Sequence, residues 1–257
     1  MTESILLDVS DGLARITLNR PDSLNAVDYA MGARWREVTR QVAAHPDVGA
    51  VLLDAAGPAF CAGGDVLAMA GGGGSGADLA EMAGVINDGI VALTTCPKPV
   101  VAAVGGAVAG GGLGLMLTAD YIVASDTARF VSRYANIGLT PDLGVTTLLP
   151  RAVGERRALQ LLLTDTMIDA ATALEWGLVS EVVAADRLAA RAEEVAQSWL
   201  DNATAAYGHA KRLVRVGADR RFEENLADEA TTIGNSFDTD AAQARIAAFA
   251  AASSRWG

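Results

Sequence analysis

Alternating apolar and polar positions open the chain. Ile5-Leu6-Leu7-Asp8-Val9 and Ala14-Arg15-Ile16-Thr17-Leu18-Asn19 read as paired strands, with Ser10-Asp11-Gly12 as the turn between them. The period then changes. From Asp28 to about His45, Met31, Trp35, Val38 and Val42 recur at helical spacing, and His45-Pro46 ends the run. Ala50–Asp54 and Pro99–Val104 are strongly apolar, strand-like runs, and Tyr121–Ala124 is a further strand. A helix from about Ala77 to Thr94 leads into the second run through Pro97-Lys98-Pro99. Strands and helices thus alternate through the first two-thirds, which predicts an α/β fold with parallel strands. After Pro150 the pattern becomes alanine-rich helix, over 155–164, 169–176, 186–200, 203–216, 222–237 and 240 to about 253. No sharp linker separates this part, so it reads as a helical appendage.

Both apolar runs lead into glycine-rich turns, Phe60-Cys61-Ala62-Gly63-Gly64-Asp65 and Gly105 through Gly112, the second opening a small-residue helix. Glycines packed this way let a backbone approach a ligand and turn its N–H groups outward. Two such turns can aim two N–H groups at one oxygen, which points to an enzyme working on a carbonyl. A tight connection with no ligand is the plainer alternative. Gly71 through Gly76 reads as a mobile loop. Its Gly71-x-Gly73-x-x-Gly76 spacing matches a dinucleotide fingerprint only formally, since no strand precedes it.

Composition narrows the field. The 257 residues suffice for one large domain, with 51% hydrophobic and 20% charged positions. A net charge of -11 argues against nucleic acid as a partner. No apolar stretch is long enough for a membrane span, and Met1-Thr2-Glu3-Ser4 does not look like a secretory signal. Cys61 and Cys96 are too few for a disulfide framework, so a reducing cytoplasm is expected. His45 and His209 lie far apart, outside any ligand-spaced cluster, so no metal is expected.

An ordered set of segments resembles the crotonase superfamily of enoyl-CoA hydratases and isomerases. It comprises Arg20-Pro21-Asp22-Ser23-Leu24-Asn25-Ala26, the turn at 60–65, Lys98-Pro99 through Gly112, Asp120–Ala124, Gly138-Leu139-Thr140-Pro141-Asp142 and Leu149–Gly154. The resemblance implies a spiral of ββα units over 1–192, with helices over 193–257 building a homotrimer or a dimer of trimers. It implies an acyl-CoA thioester as ligand, with CoA part of the substrate and no separate cofactor. The oxyanion donors would be the backbone N–H groups of Gly64 and Gly111. Ala62, Asp65, Leu67, Gly110, Tyr134 and Leu139 fall at substrate-binding positions, with Ala62 and Leu67 toward the adenine end, mostly through backbone.

Departures from the family pattern bear on the chemistry. Hydration holds water between two carboxylates, acting as base and acid. At the positions where the family's hydratases carry them, this chain has Gly114 and Tyr134. Asp142 remains, placed like the carboxylate of enoyl-CoA isomerases and of ring-isomerising enzymes of phenylacetate degradation. One base is enough to move a double bond: Asp142 would take a proton from C2 of a 3-enoyl-CoA and return it at C4, in fatty acid or aromatic acid degradation. An apolar site, consistent with Ile137, Leu139, Leu143 and Val145, would make it a better base. The alternatives are a hydratase or lyase on another acyl-CoA, and a CoA-binding homologue without catalysis.

Each candidate also has a plainer role. Asp142 follows a proline before a short helix and could be an N-cap, and Asp65 reads better as a cap than as a ligand for CoA. Cys61 is better packing than nucleophile. Tyr134 could bond substrate or line a wall, and Arg129 and Arg133 read as surface groups. Ala248-Phe249 is not followed by the lysine that reaches CoA phosphates elsewhere in the family, leaving Lys211, Arg212 and Arg255 as candidates.

Overall fold

A computed structural model describes residues 3–71 and 74–253. Strands β1 (Ile5–Ser10) and β2 (Leu13–Leu18) form the expected hairpin, and β2 turns Ala14, Ile16 and Leu18 inward. Asp28 caps helix α1 (Tyr29–Ala44) by accepting from Met31 N–H at 2.8 Å. The chain continues through β3 (Ala50–Ala55), α2 (Val66–Gly71), α3 (Gly76–Thr95), β4 (Val100–Val104), β5 (Ala107–Ala109) and α4 (Gly111–Met116). Then come β6 (Tyr121–Ser125), β7 (Arg129–Val131), α5 (Val145–Val153), α6 (Glu155–Leu163), β8 (Ile168–Asp169), α7 (Ala170–Trp176) and β9 (Glu181–Val183). Helices α8 (Leu188–Leu200), α9 (Thr204–Gly217), α10 (Phe222–Phe237) and α11 (Asp240–Ser253) complete the described chain.

Two sheets carry these strands. The larger runs β1-β2-β3-β4-β6-β9, parallel except for the first pair, and the smaller runs β5-β7-β8. Each successive ββα unit adds one strand to the first sheet and one extended segment to the second. After β3 that segment is Cys61, bridged to Val108 of β5; β4 is followed by β5, and β6 by β7. This is the α/β spiral expected from the resemblance.

The central strands are covered on both sides, which explains their unbroken apolar runs. One face (Val51, Leu53, Val100, Ala102, Val104) packs with Trp35, Val38, Ile86 and Leu93 of α1 and α3. The other (Leu52, Val101, Ala103, Val123) packs under Ala192, Val195 and Ala196 of α8. Helix α8 therefore runs on through residue 192 as part of the sheet's cover. Among the described residues no helix is long and apolar enough to cross a membrane, and no group of three or more potential ligands could hold a metal ion.

Several elements depart from the sequence reading. Strands β5, β7, β8 and β9 have two or three residues each, too short to display a period of two. Helix α5 contains Pro150, a residue read as a boundary; the helix tolerates it and forfeits one backbone bond. The glycine-rich stretch is narrower than a six-residue loop. Helix α2 extends to Gly71, and Ser75 caps α3 in a reciprocal box with Asp78. Gly72 and Gly73 lie outside the described residues, as does Arg255.

The C-terminal helices leave apolar surface uncovered. Helix α10 buries none of its own residues, and Phe222, Ile233, Phe237 and Phe249 are all more than half exposed. Helix α9 is pinned to the sheet by the buried Lys211, whose Nζ lies 2.9 Å from Asp120 and donates to the carbonyls of Leu93 and Lys98.

Candidate active site

The first glycine turn is fixed by residues well before it. Asn25, fully buried, accepts from Arg20 N–H at 2.7 Å and donates to the carbonyls of Ala56 and Ala59 at 2.9 and 2.8 Å. Removing this side chain would strand one buried and two partly buried backbone groups, and a buried group left unsatisfied costs about 1–3 kcal/mol. The Arg20 guanidinium bonds Ala26 O and pairs with Asp28 and Asp65 at 3.0 and 3.1 Å. Val27 N–H donates to Gly63 O at 2.7 Å, and Asp65 N–H to Val27 O at 3.0 Å, so Gly64 is held from both sides. The segment 20–26 was legible in the sequence through its family resemblance, but its role, with Val27, as a bracket for this turn was not.

The second turn is laced to the first. Cys61 N–H donates to Ala107 O at 3.2 Å, and Ala109 N–H to Cys61 O at 2.9 Å. Gly63 sits at φ +96°, and a side chain there would meet Ala109 O at 2.9 Å, so the close approach needs glycine. The N–H of Gly111 is the first of helix α4 and has no intrahelical partner. Among the described residues neither Gly64 N–H nor Gly111 N–H finds an acceptor in the protein. Both line one cavity of about 320 Å³.

Asp142 reaches the same cavity and is the only carboxylate lining it among the described residues. Its side chain does not cap α5, whose N-cap is Gly144 without a side-chain bond. The capping alternative is therefore set aside. Tyr134, eight residues earlier, donates its hydroxyl to Asp142 Oδ1 at 2.6 Å. Burial pushes the Asp142 carboxyl above the usual carboxylate range, and the bond from Tyr134 partly opposes this. Burial, then the neighbouring carboxylate, drives the Tyr134 phenol far above its ordinary value, so it is a neutral donor. Opposite stands an apolar wall from α3 that includes Leu79, Met82 and Ile86. A second cavity of about 730 Å³ shares Leu79, Met82, Val66 and Met69 and runs toward Tyr29 and Asp65.

The structure gathers Ala62, Gly64, Gly110, Gly111, Tyr134, Leu139 and Asp142 around the first cavity. Asp65 lines only the second, its carboxylate accepting from Ala68 N–H at 3.0 Å and paired with Arg20, as a cap of α2. Leu67 lines neither, and its side chain is 87% exposed. Ile137 and Leu143 also line the first cavity, whereas Val145 is buried behind it. Cys61 is fully buried, with burial pushing its thiol up to about 12, which suits packing and not attack. Lys211 is consumed inside the fold and Arg212 is forked onto Asp228 at 2.7 and 2.9 Å, so neither is free for a CoA phosphate.

Known proteins resemble this chain in sequence and in fold. The family model for enoyl-CoA hydratase/isomerase matches residues 8–256. The chain is 35% identical over 228 residues to the 1,2-epoxyphenylacetyl-CoA isomerase of Escherichia coli, covering 88% of this chain and 87% of the other. It is 34% identical over 247 residues to a protein of Mycobacterium leprae named "Probable enoyl-CoA hydratase echA8", covering 96% and 95%. A crystal structure of an enoyl-CoA hydratase from Mycobacterium smegmatis superposes with a TM-score of 0.90 at 31% identity, over 96% of this chain and 95% of that one.

Proposed function

Since the chain belongs to the enoyl-CoA hydratase/isomerase family, and so acts on an acyl-CoA, we propose that it is an isomerase shifting the double bond of a 3-enoyl-CoA to the 2-position. The observation that carries this reading is that, among the described residues, Asp142 is the lone carboxylate in the cavity that both free N–H groups line. The thioester oxygen rests between Gly64 and Gly111. Asp142 removes a proton from C2, and the charge moves onto that oxygen as an enolate. The protonated Asp142 then delivers the proton to C4, and the double bond re-forms between C2 and C3 in conjugation. Each such backbone donor is worth about 2.7–4 kcal/mol of transition-state stabilisation. No cofactor enters the balance. Its raised pKa brings the base closer to neutrality, where proton transfer works best.

Hydration is the second reading, favoured by the hydratase names among the relatives. It would need Tyr134 to supply the missing acid. Incubation with 3-enoyl-CoA and, separately, 2-enoyl-CoA, followed by mass analysis, separates the readings. Isomerisation conserves mass and converts the first substrate, whereas hydration adds one water to the second. Thioester binding, read as a thermal shift, without either product would mark a CoA-binding homologue.

The uncovered helices α10 and α11 support assembly of several copies, here proposed as a homotrimer or dimer of trimers. Light scattering should then give three or six times the 26.4 kDa chain mass. Replacing Phe222 and Ile233 by aspartate should lower that mass, since both are exposed in the single chain. A monomer in the unmodified protein overturns the assembly.

A further inference from the structure

Tyr134 is tied to Asp142 through its side chain, and its main chain organises the turn between them. Its hydroxyl reaches Oδ1 at 2.6 Å, and among the described residues no other side chain hydrogen-bonds that carboxylate. The residue is 8% exposed, and its Cζ lies 4.0 Å from where a side chain on Gly110 would begin, beside the second N–H donor. Its carbonyl accepts from the N–H groups of Ile137 and Leu139, at 3.2 and 3.1 Å, organising the turn that leads on to Asp142.

The geometry points to Tyr134 as the positioning residue of the base: its hydroxyl ties Oδ1, so that Oδ2 is the oxygen presented to the acyl carbons. This rests on the isomerase reading above. A proton must be taken at one carbon and returned at another two bonds away, so the carboxylate plane has to stay in register with the enolate throughout. A side chain anchored at one oxygen keeps that register, and a freely rotating one spends part of its time misaligned.

The tie also acts on ionisation. A donor to a carboxylate favours its charged form, so losing it raises the carboxyl pKa further. Few other groups compete. Arg133 lines the cavity but is held by Asp165 at 2.5 Å, and the thiol of Cys61 is buried and neutral. Helix α3 faces the pair with Leu79, Ala80, Met82, Ala83 and Ile86, and α4 faces it with Gly111.

The test is Tyr134→Phe in the full chain, with fold checked by circular dichroism. Turnover on 3-enoyl-CoA should fall about tenfold, the loss of one charge-assisted bond, with KM unchanged within about twofold. The acidic limb of the kcat/KM profile should move to higher pH. Site-specific 3-fluorotyrosine at 134, a more acidic phenol and a stronger donor, should move the limb to lower pH, and it decides the matter if the phenylalanine variant does not fold. A limb that stays put in the folded variants reduces Tyr134 to a wall and overturns the proposal, even if kcat falls. If Asp142→Asn is inactive while the limb stays, only this role falls. If Asp142→Asn keeps full turnover, Asp142 is not the base and this role falls with it, whereas a wild-type protein that leaves 3-enoyl-CoA unchanged loses the isomerase reading itself.

Discussion

Asp142→Asn should lower double-bond migration by about 10²- to 10⁴-fold, the usual worth of a positioned general base. The amide keeps the shape and can still accept from Tyr134, but it cannot hold the travelling proton. Thioester binding, read as a thermal shift, should persist, because the Gly64 and Gly111 N–H groups are backbone and remain in place. The melting temperature at neutral pH should not fall. Burial raises the folded-state pKa of Asp142 above its unfolded value, so its contribution to stability is present at low pH and lost as pH rises through the folded pKa. Asparagine carries no such penalty at neutral pH. Wild-type turnover in this variant would remove Asp142 as the base.

Gly114→Ala should cost about 100-fold in turnover, although no acyl atom need touch residue 114. A Cβ there would lie 2.3 Å from Leu143 O and 2.8 Å from Leu143 Cβ. The nearest obstacle is main chain, which no rotamer can clear. The turn carrying Asp142 would have to shift, and a displacement near 1 Å at a reacting group is worth about that factor. Stability should fall by about 1–3 kcal/mol from overpacking, measurable by urea denaturation. Leu143 already sits at φ +51° and is 4% exposed, so the turn has little slack. Gly114→Glu is the sharper variant, since the resemblance aligns this position with the first carboxylate of the hydratases. It should lose isomerase activity without gaining hydration, because the space for that carboxylate is filled by Leu143. A hydrating Gly114→Glu protein would show that the turn yields.

The α/β alternation was readable because parallel strands and amphipathic helices carry strong signals, as in the apolar run at 99–104 and the Met31-Trp35-Val38-Val42 stripe, whereas the spiral order of the ββα units came only from the family resemblance. The glycine turns were readable because a backbone that must approach another backbone admits few residue types. Short segments of the smaller sheet were not: β7 and β8 pair through two positions, Arg129 with Asp169 and Phe130 with Ile168. Such strands are set by their neighbours and not by local pattern. The Tyr134–Asp142 bond was illegible for a different reason. The sequence placed both residues near the cleft, but whether a tyrosine faces substrate, wall or base depends on the fold of the turn between them.

The two-bond ladder between Cys61 and the segment 107–109 has a consequence for how the protein can vary. The N–H groups of Gly64 and Gly111, the proposed oxyanion donors, are spaced by this strut, so their separation is set by the fold itself. Orienting them is an entropic debt settled during synthesis and collapse, and none of it is charged to each turnover. Acyl preference can therefore drift through residues of the α3 wall while the strut stays untouched. Changes at buried Cys61 or Val108, remote from any tail, would instead disturb every substrate alike.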